Sequence, residues 1–268
     1  MLALAATAGL GACQPTVVIG QWNCPASTDG GTGDSGAMPG AGDPISIPWS
    51  TGFENGICDY APPTGFCTQP VQYRRVTSPT KNGHFAEAFT VLAEDGSALK
   101  QSRCVRQGVL PDEAYYGAWY YIPATATNSG VWNLLHFQGA DSPTSTQHYL
   151  WDVSLVNGSN GKLNVRVLDF LYPNSAPPGG NVADSRVPVP IDSWFHLEFF
   201  LRRAKDGGEA ALYQDEVRVV DYMNFPTDDT NWGQWYVGNY ADNLVPADST
   251  LYVDDVTIAA TLGWTPPP

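Results

Sequence analysis

The chain has 268 residues, enough for one large β domain, with 43% hydrophobic and 12% aromatic residues to build a core. Only 15% of residues are charged, yet the formal net charge is -14. That balance excludes a nucleic-acid partner, which needs a basic surface, and weighs against dense polyanions unless arginines are gathered locally.

The N-terminal run MLALAATAGLGAC is apolar and ends at Cys13. No Lys or Arg stands within or before this run, a departure from the basic start that a signal peptide is expected to show. Residues 14–44 contain TDGGTGDSGAMPGAGD, too poor in apolar side chains to offset ordering entropy, and are expected to be a tether. Besides Cys13 there are Cys24, Cys58, Cys67 and Cys104, an even set consistent with two disulfides in an oxidising compartment. Spacing does not fix the connectivity; the pairing expected is Cys58–Cys67 with Cys24–Cys104.

From Pro48 onward short strands alternate with Gly, Pro, Asn and Asp turns, and no stretch shows a helical period. The clearest predicted strands are 85–92, 115–122, 132–138, 148–156, 163–172, 194–203, 210–222, 234–240 and 251–259. The expected fold is an all-β, two-sheet antiparallel sandwich over 45–262, followed by a Pro-rich tail, 263–268.

Strand parity separates a core face from a polar one. In WNLLHFQG, Leu135 and Phe137 share one parity, and Leu134, His136 and Gln138 the other. Tyr149, Trp151, Val153 and Leu155 oppose His148, Asp152 and Ser154. Leu163, Val165 and Val167 oppose Asn164 and Arg166. Phe195, Leu197, Phe199 and Leu201 oppose Trp194, His196 and Glu198. The apolar sets are expected to meet between two sheets, and the polar sets to line an outer groove through His136, Gln138, Arg166 and His196. Asp152 with Glu198 would be a carboxylate pair of the kind glycosidases use.

Four stretches, GFENG at 52–56, NGHFA at 82–86, DSWFHL at 192–197 and LYVDDV at 251–256, resemble the concanavalin A-like (lectin/glucanase) jelly rolls. That resemblance implies a structural Ca²⁺ held by Glu54 with Asp254 or Asp255, hard oxygen ligands suited to the ion. Among these folds the partial motifs are most similar to jelly-roll polysaccharide lyases of the alginate-lyase and heparin-lyase types; the close-spaced acids of laminarinases are missing. Ser102–Arg106 resembles the lyases' Arg strand, offering Arg103 or Arg106, which differ in parity. His136-Phe137-Gln138 resembles their Gln-x-His strand in reversed order. Trp235–Tyr240 resembles their late Tyr strand at Gly238 and Tyr240, with Tyr236 replacing a Lys.

The resemblance implies β-elimination on a uronate-containing polysaccharide. His136, Gln138, Tyr240 and Arg106 would be catalytic, with Arg103, His148, Asp152, Arg166, Trp194, His196, Glu198 and Tyr236 contacting substrate. A non-catalytic carbohydrate-binding module and a structural or adhesive surface protein remain as alternatives. Leu10-Gly11-Ala12-Cys13 resembles a bacterial lipobox, which implies lipidation at Cys13 and a monomeric domain anchored at the cell envelope, its only contact with membrane being the lipid.

Overall fold

The computed structural model describes residues 44–60, 64–67, 73–92, 100–124, 126–142, 144–145, 147–158, 161–171 and 181–265. Cys13, Cys24 and nearly all of the expected tether lie outside them. Among the described residues the regular structure is β, with one 3₁₀ turn at Cys58–Tyr60.

Two antiparallel sheets form the sandwich. The first contains β1 (Trp49–Thr51), β3 (Tyr73–Val76), β4 (Ala86–Val91), β6 (Glu113–Tyr121), β12 (Trp194–Arg202), β13 (Gly208–Gln214), β14 (Val217–Phe225) and β17 (Ser249–Ala259). Its order is β14-β13-β12-β6-β17-β4-β3, with β1 also pairing to β17. The second contains β2 (Gly65–Cys67), β5 (Lys100–Gly108), β8 (Trp132–Ala140), β9 (Gln147–Asn157), β10 (Leu163–Leu171), β11 (Asn181–Pro188) and β15 (Trp232–Ala241). Its order is β11-β10-β9-β8-β15-β5-β2. A short pair, β7 (Thr127–Asn128) with β16 (Leu244–Val245), stands apart.

The expected inward sets do meet between the sheets. Leu135, Phe137, Trp151, Val153 and Leu155 from the second sheet and Phe195, Leu197, Phe199 and Leu201 from the first are fully buried in one cluster. Burying side chains of this size contributes about 1.5–3 kcal/mol each, which is what sets the register.

Three expectations are corrected. The stretch 210–222 is two strands, because Asp215 and Glu216 both take positive φ (49° and 66°) and close a hairpin. Cys67 bonds to Cys104, its cross-strand partner in the β2–β5 register, with Cα atoms 4.0 Å apart, and so is not paired with Cys58. Cys58 is disulfide-bonded as well. Lastly, the polar parity of β12 belongs to the first sheet, so His196, Glu198 and Trp194 lie across the core from His136.

Candidate active site

The outer face of the second sheet is assembled from β5, β15, β8, β9 and β10, and register fixes which side chains share it. His136 on β8 is paired with Tyr236 on β15 and with Asp152 on β9. Gln138 is paired with Gln234, and Arg166 with Ser154. Along β5, Arg103 is paired with Gly238, between Tyr236 and Tyr240 on β15.

A bulge and a register shift adjust this face. On β8, Asn133 faces Ser154 while Leu135 already faces Val153, so Leu134 is the extra residue. Its side chain enters the core, and Asn133 takes the outward position expected for Leu134. On β15, the register to β8 shifts between Val237 and Tyr240. Asn239 turns inward there, accepting from Trp132 Nε1 (3.1 Å) and donating to the Phe89 and Ser249 carbonyls. Tyr240, four residues from Tyr236, keeps the outer face by simple alternation and stands opposite Asn133.

The result is a connected cluster. His136 Nδ1 stands 2.8 Å from Asp152 Oδ1, both largely buried. A carboxylate at this distance attracts a proton to Nδ1, the tautomer in which Nε2 carries none. The His136 ring stacks on Tyr236, with centroids 4.7 Å apart. Tyr236 is buried, and burial pushes its phenol well above the ordinary range, so it remains a donor. Its hydroxyl donates to Asn133 Oδ1 at 2.6 Å, fixing that carboxamide. The Arg103 guanidinium lies 4.7 Å from the Tyr236 ring and 5.5 Å from the half-buried Tyr240 ring.

The remaining expected site residues separate by geometry. Arg106 points into the sandwich, over Trp49, and donates to the Asp59 carbonyl and Thr64 Oγ1; it cannot meet substrate on the outer face. Arg166 shares the face but is held by both oxygens of Asp184, at 2.5 and 2.9 Å. His148 lies toward the end of β9 with Asp141, 3.3 Å away. On the opposite sheet, His196 stacks on Trp119, and Glu198 accepts from the Gly263 N–H. Burial pushes Glu198 up to about 7 and His196 down to about 4, so near pH 7 the imidazole is neutral and the carboxyl about half protonated. Trp194 caps the same sheet, donating to the Thr80 carbonyl. Asp152 and Glu198, on different sheets, are not a catalytic pair. Asn133 escaped the sequence reading because the bulge at Leu134 inverts its parity.

The acidic residues expected to hold calcium gather only in part. Asp254 and Asp255 are buried side by side in β17, each with an oxygen turned toward Gly52. Desolvation pushes Asp254 up to about 7 and raises Asp255. Glu54 instead accepts the His84 and Phe85 N–H groups at 2.8 and 3.1 Å. Among the described residues no three His, Cys, Asp or Glu side chains form a metal-holding group. Oxygens of the pair already accept N–H groups from Lys81, Asn82 and Asp255, so a hard cation there would have to share them and be completed by carbonyl oxygens.

No protein-family model and no curated protein sequence matches the chain. Solved structures match it by fold. An endo-β-1,4-glucuronan lyase from the fungus Trichoderma reesei superposes with a TM-score of 0.59 at 16% identity, covering 80% of this chain and 95% of that one. The alginate lyase Aly36B gives 0.50 at 12% identity, over 66% and 82% of the two chains. The cellulose-induced protein Cip1 gives 0.50 at 14%, over 80% and 97%. With two antiparallel sheets packed through one core and these likenesses, the chain has the concanavalin A-like jelly-roll fold.

Proposed function

We propose that this is a polysaccharide lyase that cleaves a uronate-containing glycan by β-elimination on the outer face of the second sheet. The observation that carries it is the cluster of Asp152-supported His136, Asn133 fixed by Tyr236, and Arg103 beside Tyr240. Several fold neighbours are polysaccharide lyases by name, which supports the reading.

Elimination needs a weakly acidic C–H made acidic. Arg103 neutralises the uronate carboxylate, stabilising charge that grows as the α proton leaves, and the buried Asn133 amide holds the Tyr236 hydroxyl beneath it. His136 Nε2 takes the C5 proton. The electron pair forms the C4–C5 double bond as the C4–O bond breaks, and Tyr240 protonates the departing oxygen. Gln138 and Gln234 offer hydrogen bonds to flanking sugars. The fully buried Trp132, Trp151 and Trp235 are core residues, so they cannot be the aromatic platforms a pure binding module would use.

The test is to incubate the protein with a panel of polysaccharides and follow the absorbance of unsaturated uronate ends. On a cleaved substrate His136→Ala should lower kcat by about 10²–10⁴-fold while glycan affinity is nearly kept, because the base acts in the transition state. Binding with no unsaturated product from any substrate would favour the binding-module alternative. Anchoring through an acylated Cys13 at the cell envelope belongs to the same reading; Cys13→Ala should release the protein from the membrane fraction.

A further inference from the structure

All 13 Lys and Arg residues fall between Arg74 and Arg218, so the cations available to the site can be traced. Across the five adjoining strands β10, β9, β8, β15 and β5, Arg103 and Arg166 are the cations that register sets on the outer face, among residues whose side chains are described. They stand four strand steps apart, roughly 19 Å at about 4.8 Å per step. Arg166 is already neutralised by the bidentate contact with Asp184. Between them the face presents Gln138 and Gln234 over the buried Asn133 and Ser154, and the carboxylate described there, Asp152, pairs with His136.

A polyuronate laid across these strands would set a carboxylate at about every strand step. One would meet Arg103. The next ones would meet carboxamides and Asp152, on a protein of net charge -14. We infer that the substrate carries its uronates singly, separated by neutral sugars, with one carboxylate held at Arg103 and neutral rings over β8, β9 and β10. This rests on the lyase reading and specifies its substrate class.

The experiment uses one polyuronate whose carboxylates are progressively reduced to primary alcohols by carbodiimide activation and borohydride. Cleavage is followed by unsaturated ends and binding by calorimetry. Rate per remaining uronate should rise at least threefold on partial reduction, and binding should tighten in parallel. Added salt should narrow the difference by screening the repulsion. Asp184→Asn, which releases Arg166, should selectively raise the rate on the unreduced polymer. Highest rate and tightest binding on the unreduced polymer would overturn the inference, as would an Asp184→Asn variant with unchanged preference. Absence of cleavage throughout the series would remove the lyase reading instead, and the binding order would still decide the spacing of charges.

Discussion

Glu87 is a buried carboxylate at 1% exposure, with no hydrogen-bond partner for either oxygen among the described residues. Desolvation pushes it up to about 8, with the Arg75 charge only partly opposing. A raised carboxylate costs nothing below its unfolded range, where both states are protonated. As pH rises from about 4.5 to about 8 the unfolded chain ionises while the buried carboxyl does not, and stability is lost across that window. Glu87→Gln should therefore raise Tm by about 5 °C or more at pH 8 and leave it unchanged near pH 4; an equal shift at both would count against this account. Arg103 and Arg106 make a second contrast. Arg106→Lys should cost about 1–3 kcal/mol of stability, by losing bonds inside the sandwich. Arg103→Lys should leave Tm in place and lower kcat/KM at least tenfold, because a point charge replaces a planar fork. Parity alone announced that the two arginines part company. Which one faced outward was not legible, since Ser102 and Arg106 make the inward side of β5 polar too.

That double polarity is also why β5 was absent from the predicted strands, although it carries the arginine at the site. Strands with one apolar side, such as β8, β9, β10 and β12, were legible by alternation nearly to their ends. The β13–β14 hairpin was not, because Asp215-Glu216 turns without the Asn-Gly or Asp-Gly signal such a tight turn usually carries. The bulge on β8 defeats parity, whereas β15 keeps its alternation through its register shift against β8, and that shift is testable. Gly238 takes φ of 155°, and a Cβ there would stand 2.3 Å from the Ser102 carbonyl and 2.6 Å from the Arg103 Cα. Gly238→Ala must push β5 away from β15, displacing Arg103 from Tyr240. Stability should fall by roughly 2–4 kcal/mol, and activity remeasured well below the new Tm should still be lost. Full activity in a merely destabilised variant would show that the shift does not set the site.

At the scale of the whole molecule, Gly52–Glu54, Lys81–Phe85 and Asp254–Asp255 come together at one place, although they are far apart in sequence. Asp254 already accepts the Lys81 and Asn82 N–H groups, at 2.8 and 3.3 Å, and the Asn82 side chain reaches Asp255. We propose that Ca²⁺ completes this junction through Asp254 and Asp255. The ion would act as a structural cross-link, remote from the His136 cluster on the other sheet. Sequence resemblance suggested a set with Glu54, whose carboxylate is instead occupied by the His84 and Phe85 amides. Binding requires ionised carboxylates, so cation and proton compete for Asp254, which burial pushes up to about 7. With chelator, Tm should fall as pH rises from about 4 to about 7, because the unfolded chain ionises there while the buried Asp254 carboxyl resists. With Ca²⁺ in excess at about 100 times its Kd, the native state should gain about 2.7 kcal/mol by mass action, and the share of the fall due to Asp254 should disappear while that of Glu87 remains. Asp254→Asn should abolish the response to chelator, whereas Glu54→Gln should preserve it. Melting curves that coincide with and without chelator at pH 8 would remove the ion, leaving the junction to the Lys81 and Asn82 amides alone.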